Sequence, residues 1–328
     1  MVTSGKKLYF AEQMRLLYNY IHIRFLNFLV AIFMLLITTG GYAQRYYFYN
    51  SGYFEPTWVL DASLNIGGMN ALTDIGGNKS SKDGLSAVTL KNTHLTGGLS
   101  LTATYDDWLA FRFDVSAGRV EAHDSLLKGA TESNAIGRLD RNLNFRSPIT
   151  EAFLGVEIHP LLIKNYGLTD AEPPRLSPFF MVGIGVMSYN PQAWVDNRWV
   201  ELRPLRLEGQ GFIEYPDRQP YSSTAFTLPL ALGLRYELSR ALYVRGEIIR
   251  RVTNTDYLDD VSQGDWVDPS LFYKYLPVGQ ANLASRLYNR SVTVNPPRNT
   301  RPRGDSKNND TYFSFQVRLS LVLNRGRR

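Results

Sequence analysis

From Thr311 to Asn324 the chain reads T-Y-F-S-F-Q-V-R-L-S-L-V-L-N, and Phe313, Phe315, Val317, Leu319, Leu321 and Leu323 occupy every second place. Ser314, Gln316, Arg318 and Ser320 fall between them, and Val322 alone interrupts the polar series. A period of two sends successive side chains to opposite faces of a strand. This strand therefore has one apolar face and one carrying a guanidinium, an amide and hydroxyls. A soluble sheet would bury the apolar face in a core. A membrane barrel would turn it to lipid and keep the polar face in the lumen.

The same alternation marks Thr57–Met69, Asn92–Tyr105, Trp108–Val120, Ile149–His159, Ala225–Leu238 and Ala241–Val252. Pro178–Tyr189 is apolar on both faces and lightened by Gly183 and Gly185. With the closing stretch these make eight strands. Asp106-Asp107 and Ser239-Arg240 are links of hairpin length. Pro160 to Ser177 is intermediate, and the remaining links, 70–91, 121–148, 190–224 and 253–310, are long. Short turns on one side and long loops on the other are the outer-membrane asymmetry. Tyr105 with Trp108, and Tyr236 with Tyr243, flank the short turns as an interfacial girdle would. The expectation is an all-β, eight-stranded antiparallel transmembrane barrel over residues 57–324, with a β-sandwich as the alternative.

Residues 1–43 read as a signal peptide. Lys6, Lys7, Arg15 and Arg24 precede an apolar run from Phe25 to Thr39, and Gly40-Gly41-Tyr42-Ala43-Gln44 offers small residues at a cleavage site after Ala43. The run is short for a spanning helix, which needs roughly 20 residues. Residues 44–56 then form a periplasmic segment and 325–328 a basic tail. The leader's excess of positive charge leaves only about half of the formal +6 on the rest, too little to point to nucleic acid. With no cysteine, disulfides and thiolate chemistry are excluded.

The inward faces carry Arg112, Arg235, Arg245, Arg251 and Arg318 against Asp61, Asp114, Glu151, Glu157, Glu237 and Glu247. Eight strands leave an interior that side chains just fill. Buried opposite charges there pair, because lone ones are costly. The expectation is a lumen plugged by ion pairs rather than a general porin; an ion path is the functional alternative.

Catalytic signals are sparse. His94 and His159 fall near strand ends, and His123-Asp124-Ser125 has the letters of a triad without the spacing that fixes one in space. H-E-x-x-H, G-x-S-x-G and P-loop patterns are absent, and Gly67-Gly68 lacks the rest of a dinucleotide fingerprint. No catalytic residue and no cofactor is expected. Asp256, Asp259, Asp260, Asp265 and Asp268 are dense enough in hard oxygen ligands to suggest a calcium loop, though not at EF-hand spacing. The alternatives are a solvated acidic loop whose side chains cap turns, and a loop pinned to the rim by Arg250 and Arg251.

Arg250-Arg251 followed by Asp256-Tyr257-Leu258-Asp259-Asp260-Val261-Ser262 resembles an R-R-x-x-x-T-D-Y-L-D-D-V-S signature. Gly67-Gly68-Met69-Asn70-Ala71-Leu72-Thr73-Asp74-Ile75-Gly76-Gly77 resembles a glycine-rich motif after a first strand. Both are similar to PorG-like outer-membrane barrels of Bacteroidota, associated with the type IX secretion system. The resemblance implies a lipid-embedded, non-enzymatic barrel that anchors or assembles secretion components, in contact with a periplasmic ring lipoprotein. The other reading is a general structural or ligand-binding surface barrel, with Trp194, Trp199, Tyr215 and Tyr221 of the third long loop as contact residues. A lipid hydrolase ranks third, because it needs a serine and a histidine together on an outward wall. Residues 270–310 read as partly disordered from their composition.

Overall fold

A computed structural model describes residues 57–76, 92–128, 133–163, 175–263, 265–291, 303–304, 306 and 308–324. The leader, the 44–56 segment, the 325–328 tail and Gly77 lie outside the described residues.

The strands are β1 (Trp58–Leu72), β2 (His94–Tyr105), β3 (Leu109–His123), β4 (Asn144–Ile158), β5 (Leu176–Tyr189), β6 (Gln192–Val195), β7 (Arg198–Glu201), β8 (Thr224–Ser239), β9 (Leu242–Thr253) and β10 (Thr311–Val322). Eight of them close on themselves. The ladder runs β3-β2-β1-β10-β9-β8-β5-β4, and β3 pairs with β4 to complete the circle. Every neighbouring pair is antiparallel, with Leu64 opposite Leu319 at the β1–β10 seam and Phe113 opposite Leu154 at the β3–β4 seam. The short hairpin of β6 and β7 pairs with β4 at Arg146 and Gln192, and Trp194 N–H donates to the Asn144 side chain at 2.8 Å, above the barrel wall.

The turn chemistry follows from backbone sterics. Asp106 and Asp107 both have positive φ (44° and 62°), as do Asp196 and Asn197 (49° and 63°). Two successive residues of positive φ match the right-handed twist of the strands they join, and Asp and Asn tolerate that region better than most.

Polarity is inverted relative to a soluble domain. On β1, Leu60, Leu64 and Ile66 are exposed while Asp61, Ser63 and Asn65 are buried. On β10, Val317, Leu319 and Leu321 are exposed while Gln316, Arg318 and Ser320 are buried. The same holds for Leu99 and Leu101 against Ser100 and Thr102 on β2. A closed ladder satisfies every backbone group between strands, and a continuous apolar exterior around charged interior residues is stable only in lipid. The β-sandwich alternative fails because the sheet closes on itself and, among the described residues, no second sheet covers the apolar faces. The chain is an outer-membrane β-barrel, with its long loops on the outer side.

The interior is stacked in layers. Val59, Tyr243 and Val322 pack at the short-turn end, which explains why Val322 breaks the polar series. Phe153, Met181, Ala231 and Ile249 form an apolar layer higher up. Strand β5 is apolar on both faces because Phe179, Met181 and Met187 fill this interior while Phe180, Val182, Ile184 and Val186 face lipid.

Three expectations need correction. Tyr243 is buried and points inward beneath Arg235, so it belongs to no girdle; Trp58, 5.0 Å from Tyr105, takes that place. Phe313 sits on the outward face yet is buried, its ring edge-on to Phe315. Within the stretch 270–310 expected to be partly disordered, residues 270–291 are ordered: helices α1 (Ser270–Tyr275) and α2 (Val278–Leu287) bury Phe272, Ala281, Ala284 and Leu287 against Leu205, Leu207 and Phe212, while 292–302, 305 and 307 lie outside the described residues. That core lies wholly in the long loops.

Candidate functional site

The middle of the barrel holds one continuous ion-pair network. Arg112 donates to Glu157 at 2.6 Å and to Glu247 at 2.8 Å. Arg318 donates to Glu247 at 2.6 Å and to Asp114 at 2.8 Å, and also bonds the Ser100 hydroxyl. Arg245 reaches Asp61 at 2.9 Å and Glu157 at 3.2 Å. These side chains are all buried. Strand alternation delivers each of them inward, and antiparallel register brings arginines level with carboxylates several strands away. One layer higher, Arg251 donates to Glu151 at 2.9 Å and to Ser314, lies over the Tyr312 ring, and shares Glu151 with Thr227.

Two members of the expected set are placed differently. Arg235 faces the interior but lies 5.0 Å over the ring of Tyr243. Glu237 is only half-buried, at a register shift where β8 meets its turn, and is outside the central network. A strand-end bulge moves side chains off the simple alternation, which periodicity alone does not reveal.

Above the network the acidic segment folds into the mouth rather than into solvent. Leu258, Asp259, Asp260 and Val261 are buried. Asp259 accepts the backbone N–H groups of Ile75 (3.1 Å) and Val261 (2.9 Å). Asp260, with φ 65°, accepts the Tyr221 hydroxyl at 2.5 Å. Tyr221 in turn stacks 4.4 Å from Tyr257. Asp310 accepts Leu258 N–H at 2.9 Å. Burial pushes the Asp260 carboxyl up to about 7. Burial and then the neighbouring Asp74 carboxylate hold Asp259 well above the usual carboxylate range. Burial and then Asp259 do the same to Asp310.

The five candidate calcium ligands are not brought together. Asp265 is exposed beside Arg218, and Asp268 caps the start of α1 through Ser270 N–H, while Asp259 and Asp260 turn to different partners. Among the described residues no group of three or more His, Asp or Glu is arranged to hold a metal. Nor does Arg251 pin the acids, since it belongs to Glu151 below them.

The residues that do pin the mouth carried no sequence signal for that role. Asp124 accepts Gly76 N–H (2.9 Å), Leu143 N–H (3.0 Å) and Arg141 Nε (3.0 Å). Arg141 also donates to the carbonyls of Asp74 and Arg303. Glu208 accepts the Ser262 and Gln263 N–H groups and pairs with Arg303. Each is a single charged residue in a connection between barrel strands, Arg141 at the end of the helix Ser133–Arg141, and only the fold makes them meet. Gly209 and Gly211 near Glu208 have φ of 74° and 75°, a backbone conformation that glycine adopts without steric cost.

The histidines are dispersed. His123 turns outward to Glu121 while Asp124 turns into the mouth, so His123-Asp124-Ser125 is not a triad. Ser177 Oγ and His159 Nδ1 are 3.4 Å apart, with Glu157 3.6 Å from the other ring nitrogen. Both Ser177 and His159 are buried inside the barrel, not on an outward wall, and Glu157 is held by two arginines. Of the surface contact residues, Tyr221 lies in a ring stack, Trp199 lies under Arg146, and only Trp194 is substantially exposed.

No protein-family model matches the sequence, and no curated protein matches it. Among solved structures, the fold is similar to Neisserial surface protein A (7% identity over 82% of this chain and 98% of that one, TM-score 0.33). It is similar to Ail, the attachment invasion locus protein of Yersinia pestis, solved with the heparin analogue sucrose octasulfate (7%, 82% and 100%, TM-score 0.36). It is also similar to the outer membrane protein OprG from Pseudomonas aeruginosa (11%, 81% and 95%, TM-score 0.31). At these values the likeness reaches no further than the barrel architecture, which the strand pairing establishes by itself.

Proposed function

We propose that this barrel is a non-enzymatic, PorG-like anchoring or assembly component of a type IX protein secretion apparatus. The observation that supports the reading is the contact between the two segments that carry the resemblance. Ile75 of the glycine-rich segment donates its N–H to Asp259 of the D-Y-L-D-D-V segment at 3.1 Å, across 184 residues of chain. Two motifs that hydrogen-bond one another at the mouth form a structural unit. A barrel whose interior is filled by ion pairs acts through its surfaces. Its short turns, Asp106-Asp107 and Ser239-Arg240, and the segment before β1 are the parts that would reach a periplasmic ring lipoprotein. Lipid is the other partner, and nucleic acid is not one.

Site-specific cross-linking from Asp107, Arg240 and residues 44–55 tests this. The expected product is an adduct with a periplasmic ring lipoprotein, and deletion of the gene should block export of secreted cargo. Export that continues unchanged after deletion removes the assignment.

A second reading is a surface-binding barrel. It is favoured by the separate apolar core of the long loops, which presents Ile213, Tyr273 and Val278 to solvent. Loss of ligand capture on trimming residues 206–215, with export intact, would select it.

A further inference from the structure

The outward face of β3 and β4 changes character at one level. From Leu109 to Ala117 the outward residues of β3 are apolar, and Leu154 and Ile158 continue that surface on β4. That stretch is about the 9–11 residues a tilted strand needs to cross the hydrocarbon. The next outward residue toward the long loops is Arg119, which is exposed. Arg119 is level with Pro148, and its neighbour Glu121 is level with Arg146. The two arginines are thus diagonal partners on one face, within reach of each other's long side chains, and Arg146 feels the charge of Arg119.

The surroundings hold these guanidiniums in place without neutralising both. Arg146 lies 4.3 Å over the Trp199 ring and donates Nε to Gln192 at 2.8 Å. Arg119 approaches His94 Nδ1 at 3.3 Å. If His94 carries its proton on Nε2, it donates to Glu121 at 3.3 Å and accepts from Arg119; His123 contacts the same carboxylate at 2.9 Å. Glu121 contacts both imidazoles and also acts on both arginines, so two guanidiniums face one carboxylate. With neutral imidazoles that leaves one net positive charge at the rim of an apolar belt, which a compact anion would balance. Planar guanidinium forks match phosphate oxygens.

We propose that Arg119 and Arg146, supported by His94, Glu121, His123 and Trp199, form a binding site for the phosphomonoester headgroup of an outer-leaflet lipid. The site rests on the membrane placement of the barrel and is independent of any assembly role, so failure of one leaves the other standing.

The test uses the full barrel in detergent, offered phosphatidic acid, phosphatidylcholine or inorganic phosphate, with bound molecules counted by native mass spectrometry. The wild type is expected to retain phosphatidic acid in preference to phosphatidylcholine. R119Q/R146Q should lose that preference several-fold, and R119K/R146K should keep part of it. Folding of each variant is checked by resistance of its gel mobility to unheated detergent; should the double variant fail this, R119Q alone serves, since Arg119 is exposed and lies outside the interior network. Equal retention of both lipids by the wild type, or unchanged preference in a folded R119Q variant, would overturn the proposal. Complete displacement of phosphatidic acid by inorganic phosphate would overturn the lipid as the source of the phosphate.

Discussion

Arg251 donates through Nε to Glu151 at 2.9 Å inside the barrel, joining residues 100 apart in the chain. Both side chains are fully buried. Removing one partner strands the other charge, which costs about 3–5 kcal/mol, whereas replacing both with apolar groups of similar volume is far milder. Arg251→Met is therefore expected to lower unfolding stability by that amount. Arg251→Met with Glu151→Leu should recover most of it. Urea unfolding of barrels refolded into vesicles measures the difference. Equal losses in the single and double variants would mean that the pair is not coupled.

Gly67 lies on β1 opposite Gln316 of β10. A Cβ built there would stand 1.9 Å from the Phe315 carbonyl oxygen and 2.8 Å from the Gln316 Cα, both backbone atoms. Backbone cannot rotate away as a side chain can. Gly67→Ala should loosen the β1–β10 seam and destabilise the barrel by about 1–3 kcal/mol, the usual scale of overpacking. Gly246, whose added Cβ would meet nothing within 4 Å, is the control. A lower melting midpoint for Gly67→Ala than for Gly246→Ala in heat-modifiability gels is the expected result.

The contrast between wall and mouth shows what the sequence made legible. The wall repeats a rule of period two over eight strands, so Arg112, Arg245 and Arg318 were placed inside from alternation alone. Glu237 escaped that rule because a register shift sits beside it. The strands also run further than their apolar stretches: β3 continues to His123 and β4 begins at Asn144, because backbone pairing persists beyond the lipid where no alternation is demanded. The mouth obeys no period. Asp124, Arg141, Glu208 and Arg303 meet there through loops, and no local pattern marks a residue that works by long-range contact. The acidic segment was legible as unusual, but charge density pointed to solvent or cation while the fold buries it under hydrogen bonds.

Asp260 makes the mouth sensitive to pH. Burial raises its carboxyl to about 7 in the folded chain, against the ordinary value of 3.8. Below about pH 4 the group is protonated in both folded and unfolded states. Between that and about pH 7 the unfolded chain ionises while the folded one resists, so the stability present in acid is lost as pH rises. For Asp260 alone the loss is on the order of 4 kcal/mol at about 1.36 kcal/mol per pH unit. Asp259 and Asp310 are shifted in the same direction and add to it. Amide exchange at Leu258–Ser262, corrected for intrinsic rates, should be slower at pH 5 than at pH 8. Asp260→Asn should flatten that dependence without abolishing it.

Buried polar groups occupy the barrel at two levels, and the levels can be separated. Arg112, Arg245 and Arg318 cross the interior to Asp61, Asp114, Glu157 and Glu247, and Asp259 and Asp310 hold loop segments at the mouth above them. Opposite charges in contact hold their side chains across the lumen, and bulk ions passing through would have to break those pairs in a poorly solvated space. In planar bilayers the wild type is expected to give no steady open steps. Asp259→Ala with Asp310→Ala removes the carboxylates that hold Ile75, Leu258 and Val261, and so loosens the acidic segment at the mouth. That variant should remain silent, because the charged layer beneath is untouched. Stable large channels in the wild type would contradict an occupied lumen; channels in the mouth variant alone would make the loops, and not the ion pairs, the seal.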